Sequence, residues 1–128
     1  KLFKDIKKKA KQSRKKIFPF GYINTVNELM SVADVVVTKP GGITTSEALA
    51  KKLPMLIIRP IPGQEMNNTV FLTEQEAAIR IEHPEQSCTI IDDLFSHREK
   101  LQKLSESCAR IAKPKAAVDI AEFILSLT

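Results

Sequence analysis

The sequence is poor in residues on which several common chemistries depend. Its 128 residues hold two cysteines, Cys88 and Cys108, too few for a disulfide framework. That fits a reducing compartment, with both thiols expected to be buried or half-buried. Two histidines, His83 and His97, stand isolated and match no zinc spacing, so no metal site is expected. Aromatics make up 5% of the chain and no stacking motif appears. Charge alone would have to argue for nucleic acid, and no nucleic-acid partner is expected. No apolar run approaches the length needed to span a bilayer, and no signal peptide opens the chain. Repeats and low-complexity tracts are missing as well. The first residue is lysine rather than methionine, which hints at residues missing upstream.

What is present begins with charge. The chain carries 20 basic and 15 acidic residues, a net of +5. Nine of the basic residues and only one acidic residue fall in residues 1–16, a local net of +8; the remainder is net −3. Residues 1–16 read as a basic helix in which Leu2, Phe3, Ile6 and Ala10 form a thin apolar stripe. Such a helix either packs its stripe on a sheet as a solvated outer helix or lies on an anionic membrane surface. A hydrophobic content of 43% is enough for a core, and the length allows one domain or part of one.

Further along, strand and helix patterns alternate. Residues 17–23 read as a strand running into a turn at Gly21. Asn24 or Thr25 caps a short helix reaching Val32. Val35 to Thr38 is a β-branched run expected of a buried parallel strand. A helix follows over Thr44 to Lys52, then a strand over Met55 to Arg59. Asn67 to Glu76 is helical, Ala77 to Ile81 is a short strand, and residues 90–128 are mostly helical with a break at Pro114. This order argues for an α/β fold, a Rossmann-like parallel sheet flanked by helices. About four strands are expected. Larger sheets are usual, so the domain is expected to lack its first βα units.

Two strand-to-helix junctions carry the chemistry. The first is Thr38-Lys39-Pro40-Gly41-Gly42-Ile43-Thr44-Thr45-Ser46-Glu47. Two glycines there let the backbone approach a ligand or take a positive φ, and the first helical turn faces an anion with unpaired N–H groups. The second is Pro60-Ile61-Pro62-Gly63-Gln64-Glu65-Met66-Asn67-Asn68, which offers amides and a carboxylate suited to hydroxyl-rich ligands. Lying side by side at the carboxyl edge of a parallel sheet, the two read as a site for phosphate plus sugar, that is, a nucleotide sugar. Each residue also has a plainer reading. Thr44 and Glu47 have capping-box spacing, Gly41-Gly42 is an ordinary turn, Gln64, Glu65 and Asn68 cap the next helix, Lys39 is a solvated lysine, and Asn67 is a surface amide.

The wording Phe20-Gly21-Tyr22, Asn27-Glu28-Leu29-Met30, Lys39-Pro40-Gly41-Gly42, Ser46-Glu47-Ala48, Leu53-Pro54 and Pro62-Gly63-Gln64-Glu65-x-x-Asn68 resembles one group. It is the C-terminal domain of the monogalactosyldiacylglycerol synthases and processive diacylglycerol glucosyltransferases. The resemblance covers roughly residues 17–81. It implies a GT-B architecture of two Rossmann-like domains, with residues 1–128 as part of the C-terminal, donor-binding one. It also implies a cytoplasmic, peripheral membrane enzyme that passes a hexose from UDP-glucose or UDP-galactose to diacylglycerol with inversion. Carried over residue by residue, Tyr22 and Ile23 contact uracil, and Gly41, Gly42, Ile43 and Thr44 cradle the diphosphate. Glu47 binds the ribose hydroxyls, while Gln64, Glu65 and Asn68 bind the hexose. The general base is expected on the acceptor domain, so no catalytic residue is assigned here and the chain alone is expected to be inactive. No cofactor is expected, and no Asp-x-Asp metal motif is present. Two alternatives stand: the donor domain of the transferase that adds N-acetylglucosamine to a lipid-linked peptidoglycan precursor, and a non-catalytic UDP-sugar-binding module. A sugar-nucleotide epimerase of similar fold is a further reading, but these loops show no clear acid/base pair for it.

Overall fold

The computed structural model describes residues 2–128; Lys1, the first residue of the expected basic helix, lies outside them. The chain runs α1 (Leu2–Gln12), α2 (Val26–Val32), β1 (Val36–Thr38), α3 (Gly42–Ala50), β2 (Met55–Ile58), α4 (Gln64–Glu74), β3 (Ala78–Ile81), α5 (Ser87–Ser96), α6 (Arg98–Ile111) and α7 (Ala116–Ser126). A single 3₁₀ turn, Pro84–Gln86, leads into α5.

The three strands form a parallel sheet in the order β1-β2-β3. Met55 of β2 stands opposite Val36 on one side and Ala78 on the other. Strand side chains alternate between faces, and β2 buries both sets. Met55 and Ile57 join Ala48, Leu49, Leu72 and Cys108, whereas Leu56 joins Ile81, Leu94 and Leu104. Helices α3 and α4 therefore cover one face and α5 the other, while α6 reaches both through Cys108 and Leu104. Right-handed crossovers between successive neighbouring strands put their helices on one face, as α3 and α4 are. Burying each such side chain contributes about 1.5–3 kcal/mol, so the continuous apolar run of β2 is the centre of stability. The expected α/β sheet flanked by helices is present.

Two expectations about strands and stripes fail. Residues 17–23 form no strand, so the sheet has three strands rather than about four. Ile17, Phe18 and Phe20 are exposed, Pro19 has no N–H to give a ladder, and among the described residues nothing pairs with this segment. A lone extended segment gains too little to stay ordered as a strand. Helix α1 buries no residue, so its stripe does not pack on the sheet.

Several boundaries also move. Helix α3 starts at Gly42, two residues before the expected Thr44, and α4 starts at Gln64 rather than Asn67. Residues 87–126 form three helices, interrupted at His97 as well as around Pro114. Thr25 precedes α2 as expected, but its side chain makes no capping bond; its carbonyl accepts from Leu29 N–H at 3.1 Å. Both α3 and α4 end on a left-handed residue, Lys52 and Glu76, each at φ 56°. Leu53 N–H then reaches Ala48 O, and Ala77 N–H reaches Leu72 O, both at 2.9 Å. This closing turn returns the chain to the next strand.

The two cysteines differ. Cys88 is exposed, contrary to expectation, because it lies in the first turn of α5 on its outer side. Cys108 is fully buried, and its Sγ donates to Ala77 O at 3.4 Å. Desolvation pushes the Cys108 thiol up to about 11.

Candidate functional site

Only Lys39, Pro40 and Gly41 separate β1 from α3, and residues 59–63 separate β2 from α4. The strands are parallel neighbours, so both connections leave the same carboxyl edge, where open α/β sheets bind ligands. The two loops singled out from the sequence are thus brought together.

The first loop is held by a short series of bonds. Lys39 O accepts from Gly41 N–H at 2.9 Å and from the Thr38 hydroxyl at 3.1 Å. Gly41 is the residue before the helix, at φ −66° and ψ 150°. Its carbonyl accepts the first helical bond, from Thr45 N–H at 2.9 Å. The N–H groups of Gly42, Ile43 and Thr44 therefore have no partner within the helix and carry its positive end. Of the four residues expected to cradle a diphosphate, Gly41 has its own N–H engaged; the other three have theirs available.

The capping-box alternative is not formed. Gly41 takes the capping position without a side-chain bond, which makes Thr44 the third helical residue rather than the cap. Glu47 lies one turn in, exposed and uncommitted to the helix start. Ser46 bonds back to Gly42 O at 2.9 Å. Thr45, which the sequence did not single out, is 9% exposed, and its hydroxyl finds no partner among the described residues. Residue type gave no signal for it.

Neither a positive φ nor a close contact requires the glycines at 41 and 42, although Gly41 holds the capping position, which favours glycine over alanine. Neither has a positive φ, so the expected conformational freedom is not used. A Cβ on Gly41 would meet nothing within 4 Å, and one on Gly42 would meet only Gln64 Nε2 at 3.5 Å, an ordinary contact. Gly63 is different: at φ 101° it occupies a region that L side chains avoid.

The second loop leans on the first. Glu65 Oε2 accepts from Ile61 N–H at 2.8 Å, closing its own turn. Asn68 Nδ2 donates to Pro40 O at 2.8 Å across 28 residues of sequence. Gln64 and Asn68 are four apart, on one face of α4, and that face looks onto the Pro40–Gly42 segment. Lys39 and Asn67 are exposed. Tyr22 and Ile23 are not gathered in: Tyr22 is 97% exposed, so nothing holds it against the glycine loops, and Ile23 is half-buried.

A cleft of about 490 Å³ lies elsewhere, lined by Asp34, Lys51, Arg98 and Ser105. Asp34 precedes β1, which puts this cleft at the amino edge of the sheet. Among the described residues no cluster of three His, Cys, Asp or Glu is placed to hold a metal ion. No helix among them is long and apolar enough to cross a membrane.

The fold and its paired carboxyl-edge loops are those of a Rossmann-like α/β domain, the class in which the two domains of a GT-B glycosyltransferase fall. Residues 1–124 match the glycosyltransferase family 28 C-terminal domain, and the chain belongs to that family. It is 33% identical over 124 residues to a processive diacylglycerol beta-glucosyltransferase of Bacillus cytotoxicus, covering 97% of this chain and 32% of that protein. A protein of the same description from Bacillus mycoides is 32% identical over 125 residues, with 98% and 32% covered. The chain thus spans about a third of the length of these curated relatives. Among solved structures, the glycotransferase of kitacinnamycin superposes with a TM-score of 0.57 at 22% identity, covering 79% of this chain and 28% of that one. This last likeness supports the fold.

Proposed function

We propose that this chain is the donor-binding part of an inverting glycosyltransferase that passes a hexose from UDP-glucose or UDP-galactose to diacylglycerol. The observation that carries the reading is the pair of glycines at the start of α3. No positive φ or close contact requires either, and together they leave open the approach to three unpartnered N–H groups. Such donors, aimed at a departing diphosphate, stabilise the charge that develops on it. In this reading Gly42, Ile43 and Thr44 hold the diphosphate, with Gly41 keeping the approach clear. Glu47 accepts from the ribose hydroxyls. Gln64, Glu65 through its second oxygen, and Asn68 through Oδ1 face the hexose, and Tyr22 and Ile23 meet the uracil. The acceptor and the general base belong to the part of the enzyme outside the matched third.

The diacylglycerol acceptor is a lipid, so the enzyme works at a membrane surface from the cytoplasmic side. Exposed Leu2, Phe3 and Ile6 on a lysine-rich helix suit contact with anionic lipid. The names of the curated relatives favour diacylglycerol as the acceptor.

Calorimetric titration with UDP, UDP-glucose and UDP-galactose tests this reading. UDP is expected to bind, and Glu47→Ala to weaken it tenfold or more, about 1.4 kcal/mol. The tighter sugar nucleotide then names the donor. If no UDP species binds, the donor-site reading fails. The chain alone is expected to show no transfer from UDP-hexose to diacylglycerol, and turnover would overturn that expectation.

A further inference from the structure

We infer that Asn68 is a positioning residue, a strut from α4 that sets the phosphate-facing loop through its bond to Pro40 O. The inference rests on the donor-site reading above.

Residues 39–41 are held by few bonds. Lys39 O is held by Thr38 and Gly41, and Gly41 O by Thr45. These partners are at most four residues away, in the loop or in the two elements that it joins, β1 and α3. Among the described residues, Pro40 O alone of the three carbonyls is held from a distant part of the chain, by Asn68 Nδ2 at 2.8 Å. A proline carbonyl only accepts, so the amide must present its nitrogen there. Pro40 is itself fully buried, and a buried carbonyl left unpaired is costly. Gln64, four residues earlier on the same helix, has its Nε2 3.5 Å from where a Gly42 Cβ would stand. One face of α4 thus both presents the sugar-facing amide and fixes the loop that leads into the unpartnered N–H groups. The phosphate and sugar subsites are joined through Asn68.

This separates Asn68 from a residue that only touches the sugar. A sugar ligand matters for UDP-hexose and not for UDP; a strut matters for both. Titration of the wild-type chain and Asn68→Ala with UDP and with UDP-glucose decides between them. The expected result is a loss of about fivefold or more for both ligands alike. Undiminished UDP binding, with or without a loss for UDP-glucose, overturns the inference.

A second measurement needs no ligand. Hydrogen exchange at the Thr45 amide, the first helical bond of α3, is compared in wild type, Asn68→Ala and the isosteric Asn68→Asp, which keeps the shape and removes the donor. Exchange is expected to speed up about fivefold at Thr45, with the Leu104 amide in α6 unchanged as a control for global unfolding. Unchanged exchange at Thr45 overturns the strut. If wild type binds no UDP, the donor-site reading falls, and the exchange experiment still judges the strut.

Discussion

Replacing Gly41 or Gly42 by alanine separates what the fold needs from what a ligand needs. Neither position has a positive φ, and an added Cβ meets open space at Gly41 and one ordinary contact at Gly42. Gly41 caps α3, a position that favours glycine over alanine, so the lost cap offsets the entropy gain and Gly41→Ala is expected to change stability little. At Gly42 the folded state loses nothing while the unfolded chain loses freedom, so Gly42→Ala is expected to gain about 0.4–1 kcal/mol. For a domain of this size that corresponds to a rise in Tm of about 2–5 °C. Ligand binding is expected to move the other way. A methyl beside the unpartnered N–H groups holds off the phosphate oxygens, and each charge-assisted bond lost costs about 1.5–3 kcal/mol. UDP affinity should therefore fall by about 10- to 100-fold.

Thermal melting and calorimetry on the same samples read both signs at once. Gly63→Ala supplies the contrast. At φ 101° a side chain is strained, so that variant is expected to melt lower, by about 1–2 kcal/mol. Two results would refute the reasoning. If Gly41→Ala and Gly42→Ala bind UDP within about twofold of wild type, the glycines do not serve a ligand. If they melt well below wild type, the fold does need them, and the observation behind the proposed function is gone.

Other consequences follow from particular residues. A thiol reagent near neutral pH should label Cys88 in the native chain and spare Cys108 until denaturant is added; two fast-reacting native thiols would contradict its burial. The Cys108 pKa rises on folding from its ordinary 9.0 to about 11, so the folded state favours the neutral thiol. Its contribution is complete below pH 9.0 and is lost as pH climbs toward 11, which a denaturation series across that window would detect. Glu76→Gly relieves a left-handed L residue at φ 56° and should raise stability by about 0.5–1 kcal/mol; a lower Tm would count against the closing turn of α4. Changing Lys4, Lys7, Lys8 and Lys11 to glutamine should abolish co-sedimentation with anionic vesicles and leave the Tm unchanged, while undiminished sedimentation would remove α1 from the membrane reading.

The strands were legible from local pattern, although β1, expected to be buried, lies at the sheet edge with Val37 43% exposed. Val36–Thr38, Met55–Ile58 and Ala78–Ile81 are short apolar runs between turn signals, and each became a strand. Residues 17–23 carry a similar run and did not, because a strand also needs a neighbour, which a local pattern cannot report. The closeness of the two loops was legible too, since consecutive parallel strands fix it. The helix starts were less so. Placing the start of α3 two residues late made Thr44 and Glu47 look like a capping box, whereas Gly41 caps and both side chains are released. The Asn68–Pro40 bond left no trace in residue types, because one partner is a backbone carbonyl.

Surface area explains why some candidate residues are well held and others are not. A folded monomer of 14.3 kDa exposes about 6,800 Å²; this chain exposes 9704 Å². The surplus, about 2,900 Å², falls on pieces that bury little or nothing: α1, residues 17–23, the outer side of α2, and α7 with Phe123 and Leu125 open. The core around β2 is closed, and buried Pro40 ties the first loop to it. Asn68 is bonded to buried Pro40, and Gln64, on the same face of α4, lies beside Gly42. Tyr22 belongs to the open part, and nothing orients it. In the proposed site the groups assigned to phosphate and sugar are tied to the core through Pro40, whereas the 97% exposed Tyr22 side chain would lose rotamer freedom on meeting uracil. In the proposed reading the diphosphate supplies most of the affinity for UDP, so the Gly41, Gly42 and Asn68 variants test it more directly than any change at Tyr22.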